Sequence, residues 1–129
     1  MKLVIPGRLM GLNEYIRLCR SNKFSAAAQK THIENMIILH IRNQFKNKKI
    51  SGKVYLNFGW YEKNKKRDLD NIAFAHKFIL DALVKSRTIE NDGWANIAGF
   101  TDSFYIDKEN PRVEVEILSG GKYVSTSQK

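Results

Sequence analysis

The sequence predicts an α+β domain in which a small mixed β-sheet carries two helices. Three observations carry that expectation. Apolar residues recur at helical spacing over 25–45 and again over 71–85. Short β-rich runs appear around 3–5, 53–60, 97–106 and 112–118. The order is then strand, helix, strand, helix, strand, strand, without an internal repeat. A length of 129 residues suits one domain. We place that domain at 1–118 and expect 119–129, rich in Ser, Gly, Thr, Gln and Lys, to be a flexible tail.

Leu3 to Ile5 form the first strand, which Pro6-Gly7 stops. Residues 6–24 show no clear period and read as a long connection, of the kind that is functional or disordered in a compact domain. Ser25 is the expected N-cap of a helix that ends near Phe45, with Ile33, Met36, Ile37, Ile41 and Phe45 on its apolar stripe. His40 falls within that stripe and reads as a packed histidine. Residues 53–60 alternate as a strand, with Val54, Leu56 and Phe58 on one side. A second helix runs from about Asn71 to Lys85 and buries Ile72, Ala75, Phe78, Ile79, Ala82 and Leu83. The last two strands flank the turn Asp107-Lys108-Glu109-Asn110-Pro111.

Composition narrows the partners. With 22 Lys and Arg against 13 Asp and Glu, the chain carries a formal charge of +9, which favours a polyanion. The lone Cys19 excludes an internal disulfide and a multi-cysteine zinc site, and suits a reducing compartment. No apolar run approaches the roughly 20 residues of a membrane span, and the N-terminal segment lacks a signal-peptide core. The expectation is a soluble cytoplasmic protein without a membrane partner. Arg17, Arg20 and Lys23, near Tyr15, form one candidate nucleic-acid contact, and Lys63, Lys65, Lys66 and Arg67 form another. A solvated charged loop accounts for either run on its own.

From Arg42 to Arg67 the only acid is Glu62; then comes Asp68-Leu69-Asp70-Asn71. Acids at the rim of a basic field are what a metal-dependent nuclease requires. The basic groups hold phosphate, and the acids hold a hard cation that activates water and neutralises charge at phosphorus. In an extended segment Asp68 and Asp70 face the same side. Asp92, in Glu90-Asn91-Asp92-Gly93-Trp94, is the candidate third ligand if the chain returns antiparallel to bring it near Asp68. The bland alternatives are helix capping by Asp70 or Asn71 and an ordinary Asp-Gly turn. Lys77 lies on the helix face of Asp70 and Asp81. It is a candidate for supporting phosphate charge, and equally for a plain i,i+4 ion pair with Asp81.

Taken together, Ile5-Pro6-Gly7-Arg8 with Asn13-Glu14-Tyr15, Arg67-Asp68-Leu69-Asp70-Asn71, Lys77 ahead of Asp81-Ala82-Leu83, and Asn91-Asp92 resemble the RusA family of junction resolvases, in particular its phage and Gram-positive members. The similarity runs nearly to Leu118. It implies a RusA-like fold and a homodimer that uses Mg²⁺, with Mn²⁺ as a substitute, to nick opposed strands of a four-way DNA junction in recombination and repair. By position, Asp68, Asp70 and Asp92 match the family's metal-binding aspartates, and Lys77 its active-site lysine. The spacing from Asp70 to Lys77 is three residues longer than in the enteric type member; counted forward without that insertion, the lysine position is Phe74. Two rival readings stand beside this one: a metal nuclease that prefers flaps, and a non-catalytic module that binds branched DNA or RNA.

Overall fold

The computed structural model describes residues 1–119. Most of the expected tail, from Gly120 onward, lies outside the described residues, whereas Ser119 itself closes the last strand. The elements are β1 (Lys2–Pro6), α1 (Leu12–Ser21), α2 (Lys23–Phe45), β2 (Val54–Glu62), α3 (Leu69–Ala73), α4 (His76–Lys85), β3 (Ile97–Ile106) and β4 (Arg112–Ser119). The four strands form one mixed sheet in the order β1-β4-β2-β3. β3 runs parallel to β2, and β4 runs antiparallel to both β1 and β2. The fold is therefore α+β with a small mixed sheet, as the sequence predicts, but it carries four helical segments among the described residues instead of two.

Period-two patterning builds the core. Val54, Leu56, Phe58 and Trp60 of β2 point to one face and register with Ile117, Val115 and Val113 of β4, which in turn pair with Leu3 and Ile5 of β1. Ile33, Ile37 and Ile41 of α2 and Phe78, Ile79, Ala82 and Leu83 of α4 pack on that same face. Each such side chain, fully buried, contributes about 1.5–3 kcal/mol. The opposite face carries Tyr61, stacked on Tyr105 at 4.6 Å, with the Arg112 guanidinium 3.9 Å above the Tyr61 ring. There Glu114 binds Lys2 (2.7 Å) and Arg112 (2.7 Å), and these two cations hold its carboxyl below the ordinary glutamate range. None of the helices among the described residues is long and apolar enough to cross a membrane.

Three local departures from expectation have physical causes. The stretch read as a connection contains α1, a short amphipathic helix that fully buries none of its residues and rests Tyr15 against the edge of the core. Its N-cap is Gly11, which has no side chain to offer; Asn71 supplies the cap from 58 residues away, accepting the Asn13 N–H at 2.9 Å. The helix expected over 71–85 begins earlier and breaks in two. Bonds from Ala75 N–H to Ile72 O and from Lys77 N–H to Phe74 O, both spanning three residues, tighten the chain between α3 and α4. The first long helix also starts earlier than Ser25: Asn22 is its N-cap and accepts the N–H groups of Phe24 (2.9 Å) and Ser25 (3.2 Å).

Candidate active site

The segment Arg67–Asn71 follows β2 and opens α3, and its four polar residues divide into two groups. Arg67 and Asn71 turn inward. The Arg67 guanidinium donates to both oxygens of Glu62 (3.0 and 2.7 Å) and to the Leu9 carbonyl (2.9 Å). Both partners are largely dry, at 11% and 10% side-chain exposure. Arg67 is thus occupied within the fold, pinning the segment and the loop before α1 to the last residue of β2. Asn71 caps α1, as described above. Gly11 makes this junction possible: a Cβ there would stand 2.6 Å from Asn71 Oδ1 and 3.0 Å from the Asn71 carbonyl.

Asp68 and Asp70 turn outward. Asp68 is the N-cap residue of α3, yet its carboxylate makes no capping bond. Asp70 sits in the first turn, where Oδ1 accepts the Asn71 N–H at 2.9 Å. Both residues are exposed, and among the described residues neither carboxylate forms an ion pair. Capping by Asp70 or Asn71 does not account for this segment, since the cap position belongs to Asp68 and is unused. The i,i+2 argument for a shared side also changes, because only Asp68 is extended and Asp70 is already helical. A cavity of about 460 Å³ opens beside Asp68, with Asn64, Lys65, Leu69, Ile72 and Phe104 among its lining residues.

Asp92 does not join them within one chain. The connection from β2 through α3 and α4 to β3 is a parallel crossover, so the chain re-enters the sheet at the start of β2. Ile97 pairs with Val54, Val54 N–H donates to Asn96 O at 2.8 Å, and Ile97 N–H donates to Gly93 O at 2.9 Å. Asp68 follows the opposite end, where Glu62 pairs with Ile106. Eight residue steps of strand separate those ends by about 26 Å. The expected antiparallel return holds for the helices relative to β2, but Asp92 lies beyond their far end. Among the described residues, no group of three or more His, Cys, Asp or Glu side chains is placed to hold a metal ion.

Lys77 is the second residue of α4 and lies 3.4 Å from Asp81, so the plain ion-pair alternative is realised. Asp81 also meets Lys30 (3.3 Å), which meets the buried Glu34 (3.5 Å); Lys85 closes on Glu34 from α4. This chain of charges joins α2 to α4 and leaves the Lys77 side chain 58% exposed. Lys63, Lys65 and Lys66 are exposed on the loop after β2, and Arg17, Arg20 and Lys23 are exposed across the end of α1 and the start of α2. None of these six forms an ion pair among the described residues. Tyr15 packs on Phe74 and Phe78. Trp94 is 93% exposed.

One polar group was missed from the sequence. His76 Nε2 lies 2.6 Å from Asp102 Oδ1, and Trp60 Nε1–H donates to the same oxygen at 2.8 Å. The imidazole packs against Phe58 and Phe100. The signal was present: His76 falls four residues after Ile72 on the buried stripe, and Asp102 alternates with Phe100 and Phe104. Polar side chains at core positions require partners.

The family model for endodeoxyribonuclease RusA matches residues 12–118. The chain belongs to the RusA family. No individual curated protein matches it. The matched span runs from α1 to β4 and includes Gly11's neighbour Leu12, both inward-facing residues of the Arg67–Asn71 segment, and all three candidate aspartates. RusA proteins are nucleases of Holliday junction resolution and recombination, and this chain takes that broad activity with its family.

Proposed function

We propose that this RusA protein is a homodimeric, Mg²⁺-dependent endonuclease that resolves four-way junctions by paired symmetric nicks, with Mn²⁺ as a substitute, in the reducing cytoplasm. The observation that carries the proposal is the pair of exposed, unpaired carboxylates, Asp68 and Asp70, beside the free lysines 63, 65 and 66. In a protein of charge +9, acids that remain without a cation among the described residues are available to one from solution.

One chain alone does not assemble three carboxylates, and the sheet suggests how two chains would. The β1 edge is blunted: Gln44 donates to the Val4 carbonyl and accepts its N–H, both at 2.8 Å, and Lys2 and Pro6 flank it. The β3 edge has no such cover. It is ten residues long, pairs among the described residues only with β2, contains no Lys, Arg or Pro, and exposes Phe100, Tyr105 and Ile106. Edge-to-edge pairing about a two-fold axis is antiparallel. It brings the start of one β3 to the end of the other, and so Asp92 of the partner subunit toward Asp68 and Asp70.

In this arrangement Asp68, Asp70 and Asp92 of the partner subunit would hold the cation. When bound, Mg²⁺ supplies positive charge at the scissile phosphate and lowers the pKa of the attacking water. Lys63, Lys65 and Lys66 hold the DNA backbone near the site, and Arg17, Arg20 and Lys23 contact another arm. Lys77, released from Asp81 or shared with it, supports charge on the phosphate oxygens. Arg67 positions the aspartates and does not itself touch DNA. Two such sites related by the dimer axis match the two equivalent strands of a four-way junction.

The test is complementation on a synthetic mobile junction. Asp68→Asn and Asp92→Asn are assayed separately, and then after unfolding and refolding together, with Mg²⁺ or EDTA. Each homodimer is expected to bind without cutting. The mixed dimer retains one intact site and makes single nicks that require the metal. A mixture as inactive as its parents, with heterodimers verified by tagged pull-down, refutes the shared site. Wild-type cutting of flap or linear duplex in preference to the junction refutes the substrate assignment.

A further inference from the structure

Trp94 and the cavity beside Asp68 answer each other. Trp94 is 93% exposed, the largest exposure among the big apolar side chains of the described residues. It lies in the turn three residues before β3. A lone indole in water at a loop tip leaves a large apolar surface uncovered, and Trp is the residue most enriched at the centre of protein interfaces. The cavity lies at the other end of the same strand. Its apolar wall is Phe104, Tyr105 and Ile106 of β3 with Leu69 and Ile72 of α3, beside the polar residues from Glu62 to Asp68, and Leu69 is itself 56% exposed. At about 460 Å³ it has room for an indole, and Lys65 is among its lining residues.

Trp94 cannot fill its own cavity, since the two lie at opposite ends of a ten-residue strand, about 30 Å apart along it. A second copy paired antiparallel along β3 reverses the ends. We infer that Trp94 of the partner subunit inserts into the cavity formed by Leu69, Ile72 and Phe104–Ile106, so that each protomer plugs the other beside Asp68. The occupant is a second copy of this chain, chosen because the uncovered β3 edge, the exposed indole and the apolar cavity share one two-fold relation. The inference rests on the β3-paired dimer proposed above and adds its anchor. Inserted there, Trp94 would also fix the loop that carries Asp92, two residues earlier, against the neighbouring Asp68.

The experiment uses the full chain without DNA. Sedimentation velocity over a wide concentration range reads the dimer, and the emission of wild type minus Trp94→Phe isolates the Trp94 signal from Trp60. The expected result is a Trp94 emission that moves to the blue as the dimer forms. Trp94→Ala and Leu69→Glu, both at exposed positions and checked for folding by circular dichroism, each weaken dimerisation by about 30-fold or more. Mixing these two variants yields a heterodimer tighter than either homodimer, because it keeps one intact plug and cavity. Dimers in which Trp94 keeps its solvent-exposed emission, or in which both variants associate like wild type, overturn the plug while leaving the β3 pairing standing. A chain that stays monomeric at every concentration overturns both. A blue shift that appears only with added DNA, without dimer formation, overturns the plug by assigning the cavity to a base.

Discussion

Replacing Arg67 with Met separates two occupations that the sequence alone leaves indistinguishable. A lysine-rich run that ends in arginine looks like a phosphate clamp throughout, yet Arg67 donates to both Glu62 oxygens and to Leu9 O. Methionine preserves much of the side-chain volume and removes every one of these bonds. The Glu62 carboxylate, 10% exposed, then stays in place without its cation. Breaking one partner of such a buried pair costs about 3–5 kcal/mol, and more than the median of 0–1 kcal/mol for exposed pairs. The assay is urea unfolding of Arg67→Met, Glu62→Gln and the double variant. The double variant is expected to recover at least about 1.5 kcal/mol of the summed losses, since the two groups share one contact. DNA binding measured against salt provides the counter-check. A phosphate-contacting arginine lowers the slope of log K against log salt by about one when removed. Arg67→Met with stability within about 0.5 kcal/mol of wild type and a slope reduced by one would refute the structural assignment.

The remaining predictions concern single contacts. Asn71→Ala removes the cap of α1 and is expected to lower stability by about 0.5–2 kcal/mol, read as a shift in urea midpoint at constant slope. Lys77→Ala removes only the half-solvated pair with Asp81, so its stability change should stay under about 0.5 kcal/mol; a large loss of cutting in the same variant would then report chemistry and not folding. Glu114 has its carboxyl depressed by Lys2 and Arg112. Its contribution is therefore fully present above the ordinary value of 4.5 and is lost as pH falls through its lower folded value. Glu114→Gln should be less stable than wild type at neutral pH, and that difference should shrink on acidification below 4.5, measured by urea unfolding at several pH values.

The strands and the long helix were legible because their patterns are local. β3 lies at the expected 97–106, β4 begins at Arg112 as expected, and α2 ends at Phe45. What escaped depends on partners distant in sequence. No reading of 6–24 could find a cap for α1 in Asn71. His76 and Asp102 each stand at core-facing spacing, but only the crossover brings them within 2.6 Å and makes them partners. The position of Asp92 was misjudged for a related reason. A helix returning antiparallel to β2 takes the chain away from Asp68, and the parallel β3 then begins where the helix leaves it. Spacing identified the acids, but topology decided which of them one chain can bring together.

The Arg67–Asn71 segment shows why a short motif resists reading as a single functional unit. Its arginine and asparagine are spent on the fold: one bonds Glu62 and Leu9, the other caps α1 against Gly11. Its two aspartates contribute no helix cap and no ion pair within the described residues. The four positions should therefore respond oppositely. Asp68→Asn and Asp70→Asn remove unpaired charge and should leave the unfolding midpoint near that of wild type while abolishing cutting. Arg67→Met and Asn71→Ala should destabilise first, and lose activity only through misplacing the aspartates. If the aspartate variants lost stability as the arginine variant does, those carboxylates would have a structural partner, and the availability on which the nuclease site depends would be gone.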